Sequence, residues 1–253
     1  MDRLTEKVFD KYASHYGRMS VVDRLPDDIE KLRRDRLPPW IREVPLDARI
    51  LDAGCGQGHL LAALYRIGYK KLHGVDVSHQ MLEAAQSLLP NDVQLVQADI
   101  RQFLASVEPE SFDVIFFHDV LEHLPREDSL PVLQMFHRVL RRGGVLSVRV
   151  PNMGSLIGSY IGNIDCTYVT HFTEYSLLQI LETAGFDVSK MMLVSQCPRL
   201  FFSWRRPHRM VFRFLNYVRW HVNNLFHRMV YILNDMRPRP TVFDNNIAMV
   251  ARK

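Results

Sequence analysis

Short apolar runs recur along the chain near residues 49–53, 71–76, 93–97, 112–118 and 144–150, and helical apolar spacing fills the intervals near 57–67, 78–89 and 129–141. Such alternation is what βαβ units require, because a parallel strand is covered on both faces while each helix buries only one. The pattern predicts an α/β fold with a doubly wound, mostly parallel sheet. Helix stops fall where they should: Gly68 after the first helix, Pro90-Asn91 after the second, Gly143-Gly144 after the third. Further on, FTEYSLLQILETAG reads as a helix opened by Thr173 as N-cap and closed by Gly185. Residues 186–195 and 242–252 read as two more strands, making seven. Residues 1–48 are polar and helical, ending in the breaker Pro38-Pro39. The expected organisation is an N-terminal helical segment over 1–48 and one domain over 49–253, with a helical insertion at 199–239 before the last strand.

Composition narrows the class. A chain of 253 residues with 47% hydrophobic and 24% charged residues is an ordinary globular protein, large enough to need no disulfide or metal staple. Cys55, Cys166 and Cys197 are too scattered for a zinc site and suit a reducing compartment. No apolar stretch is long enough for a membrane span, and the first residues lack the apolar core of a secretory signal, so a cytoplasmic protein is expected. The net charge of +4 is unevenly placed. Residues 199–239 hold nine arginines, no lysine and one acid, Asp235, giving +8 and leaving −4 for the rest.

The sharpest motif is LDAGCGQGHL, residues 51–60. A strand ends at Asp52, and glycines at 54, 56 and 58 precede a helix. Glycines there permit tight backbone turns and expose N–H groups to a ligand at the helix N-terminus. A nicotinamide fingerprint would place its third glycine where His59 stands, and Asp52 would repel a pyrophosphate. An acid at that point suits a ligand carrying an ammonium and a sulfonium.

Over residues 49–195 the chain resembles the class I S-adenosylmethionine-dependent methyltransferases, whose fold is a Rossmann-like, seven-stranded sheet. Asp52, Gly54 and Gly56 match the loop that cradles the aminocarboxypropyl group of the cofactor. In GVDVS, Asp76 stands where the family holds the ribose hydroxyls, with Val77 beside it. In VQADI, Asp99 stands where the adenine amine is bonded, with Ile100 against the ring. FDVIFFHDVLEHL places His118 beside the methionine moiety. The N-terminal FDKYASHYGRM resembles the family's helical lid, from which Tyr12 or Tyr16 would reach the cofactor; a helix packed on the sheet edge is the alternative.

Methyl transfer to a hydroxyl needs a base, for which histidine is the natural residue. His123 and His171 are the candidate catalytic residues, each with a packing role as its alternative. A sharper alternative is a divalent-metal cluster of Asp119, Glu122, His123 and His171, resembling the E-x-x-E-H…H site of small-RNA 2′-O-methyltransferases but with Asp119 in place of a glutamate. The Pro151-Asn152 pair, the D-x-x-x-x-x-H spacing of Asp165 and His171, and the A-G-F ending at Phe186 resemble bacterial methyltransferases of cell-surface glycan synthesis; quinone methyltransferases share parts of the pattern. The resemblance thus implies O-methylation of a glycan or lipid-linked sugar acceptor, with RNA ribose or quinone-type methylation and an inactive cofactor-binding partner subunit as alternatives.

Within 199–239, apolar positions 211, 214, 215, 218, 222, 225, 226, 229, 232 and 233 follow helical spacing, with arginines and aromatics interleaved. Such a stripe fits an anionic membrane surface at the inner face of the membrane. Nucleic acid is the least favoured partner. Packing on the body or on a second copy, as a homodimer, is the remaining choice.

Overall fold

The computed structural model describes Val8 and residues 37–187, 189, 191–194 and 207–253. The expected lid, with Tyr12 and Tyr16, and the start of the basic segment through residue 206 lie outside the described residues.

The strands are β1 Arg49–Ala53, β2 Lys71–Asp76, β3 Gln94–Gln97, β4 Phe112–His118, β5 Leu140–Pro151, β6 Met192–Val194 and β7 Asn246–Arg252. They form one sheet in the order β3-β2-β1-β4-β5-β7-β6. The first five pair in parallel, and β7 runs antiparallel to both β5 and β6. The strand order reverses between β1 and β4, so their carboxyl ends open a crevice between diverging connections, where ligands bind in such sheets.

Helices α1 His59–Arg66, α2 His79–Leu88, α3 Ile100–Ser106, α4 Arg126–Val139, α5 Gly158–Ile161, α6 Glu174–Thr183 and α7 Pro207–Leu233 complete the chain. One face of the sheet packs Leu61, Leu64 and Ala85 from α1 and α2, with Trp40 and Tyr69. The other packs Leu104, Leu133, Phe136, Leu177 and Leu181 from α3, α4 and α6. Thr173 caps α6 as expected, accepting from the Ser176 amide while Ser176 bonds back to the Thr173 amide. Gly185 follows that helix at φ 104, a left-handed angle that favours glycine.

Several elements differ from the sequence pattern: β6 is only Met192–Val194 where 186–195 is expected, β7 starts at Asn246 where 242 is expected, and the short helix α5 is unforeseen. Helix α3 lies where no helix is expected: it spans seven residues, too short for a periodic signal, and exists because Asp99 caps it and Ile100 and Leu104 bury on one side. Strand β5 begins at Leu140, ahead of the glycine pair, with Gly143 at φ 75 and its amide bonded to the Lys253 carbonyl.

The far half of the sheet is closed by side chains on backbone. Asn152, just past β5, donates to the carbonyls of Val242 and Asp244 and accepts from the Gly154 amide. Glu174, buried at the start of α6, accepts from the amides of Thr241 and Val242 and from the Thr241 hydroxyl. These bonds fix the approach to β7. Replacing Glu174 with Ala removes three hydrogen bonds to exposed Thr241 and half-buried Val242 and should cost about 2 kcal/mol in denaturant unfolding, with earlier proteolysis near residues 240–243.

Candidate active site

The site is built at the carboxyl ends of β1, β2 and β4. At the turn out of β1 the amides of Gly54 and Cys55 both bond to the Val75 carbonyl, and the Gly56 amide donates to the Asp76 carboxylate at 2.8 Å. Asp76 also accepts from the Ser78 amide. Gly54, Gly56 and Gly58 all hold positive φ, at 82, 50 and 75°. At Gly54 a Cβ would stand 2.2 Å from a Val120 methyl, so glycine is required twice over, by angle and by contact. At Gly56 an added Cβ meets nothing within 4 Å, so the loop is open on that side.

Two acids face this opening. Asp52 is 4% exposed; burial, reinforced by nearby Asp76, pushes its carboxyl up to about 7, with Arg149 pulling the other way. Burial also raises Asp76, partly offset by its backbone donors. Two poorly solvated carboxylates beside an open glycine loop favour a ligand that brings positive charge and hydroxyls. Val77 remains exposed next to Asp76, and Ile100 is packed into the core beneath. His118, at the end of β4, shares a hydrogen bond with the Ser147 hydroxyl at 2.8 Å. Burial, then the Arg149 charge, holds it well below the usual histidine range, so it is neutral at pH 7.

Asp99, expected beside the adenine amine, is already engaged by the chain itself. Its carboxylate caps α3 through the Arg101 amide and takes the Arg101 guanidinium, at 2.9 Å to Nε and 2.8 Å to Nη2. Arg101 in turn reaches Asp128. A ligand amine would have to compete with that guanidinium for the same oxygens.

The four residues considered as metal ligands are not brought together. Asp119 is held by the guanidinium of Arg149 on β5. Glu122 is 1% exposed, has no hydrogen-bond partner for its carboxyl among the described residues, and is pushed well above the usual carboxylate range by burial and Asp119. That rise disfavours the charged form a cation would need. His171 is exposed. Among the described residues no three His, Cys, Asp or Glu side chains converge as a metal site needs. The metal expectation is corrected on that geometry.

His123 instead joins a chain that sequence reasoning did not assemble. The Thr167 hydroxyl lies 2.7 Å from His123 Nδ1 and 2.7 Å from an Asp165 oxygen, which also accepts the Thr167 amide. A hydroxyl has one proton, and the carboxylate must receive it. Thr167 therefore accepts from His123 Nδ1–H, and Nε2 carries the ring's lone pair. Burial lowers His123 below the ordinary histidine value against the opposing pull of Asp165, so the ring is neutral at pH 7. Asp165 stood out in the sequence only through its spacing to His171; Thr167 gave no signal, since its partner lies 44 residues away.

The raised Asp52 carboxyl has a stability consequence. Its folded value lies above its unfolded one, so the stability it contributes is present below about pH 4 and lost as pH rises through about 7. Asp52→Asn should be more stable than the parent at pH 8, by at most about 4 kcal/mol, with the gap closing toward pH 4. Denaturant titrations at both pH values measure this; equal stability at pH 8 would refute it.

Comparison with known proteins agrees with this geometry. Residues 51–148 match the family profile described as a methyltransferase domain. Trans-aconitate 2-methyltransferase from Azoarcus sp. (strain BH72) is 37% identical over 131 residues, covering 51% of this chain and 48% of that protein. A ubiquinone biosynthesis O-methyltransferase from Xanthomonas campestris pv. campestris (strain B100) is 31% identical over 148 residues, covering 56% and 60%. The chain thus spans about half to three-fifths of the length of these curated relatives. The crystal structure of a SAM-dependent methyltransferase from Archaeoglobus fulgidus shares the fold, with a TM-score of 0.63 at 20% identity over 96% of this chain and 100% of that one. Residues 51–148 thus resemble a methyltransferase domain in sequence, and the sheet shares the fold of a solved SAM-dependent methyltransferase.

Proposed function

We propose that the chain is an S-adenosylmethionine-dependent O-methyltransferase acting on a hydroxyl of a glycan or lipid-linked sugar. The observation that carries the reaction class is the open, positive-φ glycine loop with buried Asp52 and half-buried Asp76 beside it. In this reading Asp52 faces the ammonium end of the cofactor and Asp76 the ribose hydroxyls. Gly54 and Gly56 let the backbone come close, Val77 and Ile100 flank the adenine, and His118 lines the methionine end. Tyr16 remains a candidate lid contact. S-adenosylmethionine supplies an activated methyl group for in-line displacement. The protein's part is to hold the acceptor on that line and take its proton.

His123 is the proposed base. Thr167 and Asp165 fix the tautomer in which Nε2 accepts the hydroxyl proton, and Asp165 stabilises the resulting imidazolium. His171 is an acceptor-site candidate at the exposed rim. The glycan acceptor is supported by the Pro151-Asn152, Asp165…His171 and A-G-F pattern. A quinone-type acceptor is the second reading, favoured by the 31% identity to a protein named for ubiquinone biosynthesis.

Transfer of labelled methyl from S-adenosylmethionine to a cell extract, split into lipid, polysaccharide, nucleic-acid and small-molecule fractions, tests the acceptor. Label in lipid-linked or polymeric glycan supports the first reading, label in quinone precursors the second, and label in RNA overturns both. His123→Ala should lower kcat by about 10²- to 10⁴-fold with cofactor affinity unchanged, and Thr167→Val should lower it less, with Thr167→Ser recovering most. Because burial depresses His123, the acid limb of kcat should fall below pH 6.5. An unchanged kcat in His123→Ala would remove the base assignment.

A further inference from the structure

Helix α7 is attached to the body by the face opposite its apolar stripe. The Trp220 indole donates to Asp244 at 2.6 Å, and the Tyr231 hydroxyl donates to the Gly154 carbonyl at 2.7 Å. His227 is buried against Phe243, and Asn224 lies half-buried between these contacts. At 100° per residue, Trp220, Asn224, His227 and Tyr231 form one side of the helix, polar and aromatic, and that side grips the strand-lead segment before β7.

The apolar stripe is on the far side, in solvent. Phe214, Leu215, Val218, Val222, Leu225 and Phe226, continued by Met229, Ile232 and Leu233, are each between 39% and 79% exposed. They cover an arc of about 120° along a helix of about 40 Å. A large, continuous exposed apolar surface on a folded chain marks an interaction surface. Its two borders are basic: Arg219 on one side, Arg228 and His221 on the other, all exposed. Between Pro207 and Leu233 there is no acidic residue.

We infer that this face of α7 docks on an anionic lipid bilayer, lying in the interface plane with the apolar stripe among the acyl chains and the arginines at the phosphates. Charge selects that occupant. If a second copy packed stripe to stripe, the arginine borders of the two helices would face each other with no acid on either helix to pair them. A bilayer bearing acidic headgroups supplies the missing negative charge along both borders. The rest of the chain, at −4 outside residues 199–239, is repelled by the same surface, which turns the helix rather than the body toward the membrane. No described helix is long and apolar enough to cross a membrane, so the contact is peripheral. The inference stands apart from the proposed reaction and does not depend on the acceptor.

Flotation of the full chain with phosphatidylglycerol-containing vesicles, and with phosphatidylcholine vesicles as control, tests it. The chain should float with the anionic vesicles, and the floated fraction should fall at least tenfold with phosphatidylcholine alone or with V222E/F226E. R219E/R228E should weaken binding and flatten its dependence on salt. Circular dichroism and cofactor affinity unchanged in these variants establish that the body is intact. Absence of flotation, or a concentration-dependent dimer in sedimentation that V222E/F226E dissociates, would overturn the inference in favour of a second copy. Flotation abolished by competing RNA with equal loss in both variant pairs would overturn it in favour of nucleic acid.

Discussion

The bond from the Gly56 amide to the Asp76 carboxylate, with those from Gly54 and Cys55 to the Val75 carbonyl, ties the first turn of the chain to the end of the second strand. Everything at the site follows from this knot. It holds three alternate positions, 54, 56 and 58, at positive φ, which only glycine adopts without strain. It seats Val120 against Gly54, so the β4 loop that carries Glu122 and His123 is positioned by the same turn. It also leaves Asp52 buried near half-buried Asp76, an unfavourable pairing of acids that Arg149 only partly offsets at Asp52. A binding site that stores unfavourable charge in the free protein is relieved when a ligand of opposite charge arrives.

A second layer of the molecule is set by backbone-seeking side chains. Asn152 and Glu174 use six hydrogen bonds between them to hold residues 241–244 and the turn at Gly154. That segment is also the surface on which α7 rests, through Asp244 and Gly154. The joint therefore couples the antiparallel edge of the sheet to the orientation of the basic helix. The Thr167–His123 contact lies on the same side of the fold, where the Glu122 carbonyl accepts the amides of Val169 and Thr170. The loop that positions the proposed base is thus anchored from both of its neighbours.

The glycine turn and its acids were legible because they are local. Asp52, Gly54 and Gly56 lie within five residues, and Asp76 ends the next strand, so spacing alone places them at one edge of a parallel sheet. Helix α3 was not legible, being too short for a period to emerge, and neither was the guanidinium of Arg101 that Asp99 holds there. The cluster of Asp119, Glu122, His123 and His171 looked like a ligand set because sequence reports residue types, not directions. Arg149 arrives from a different strand to take Asp119, and burial raises the Glu122 carboxyl.

The sequence by itself determined the order of the strands and the longer helices, the glycine turn with its acids, and the composition of the basic amphipathic helix, since each depends on neighbours within a few positions. Tertiary structure alone decided the tautomer of His123, through a threonine 44 residues away, and the outward direction of the α7 stripe. A periodic pattern defines that a helix has an apolar face, but only the partners on the opposite face decide which way it points. Here Trp220 and Tyr231 find Asp244 and Gly154, and their hydrogen bonds turn ten apolar residues toward solvent.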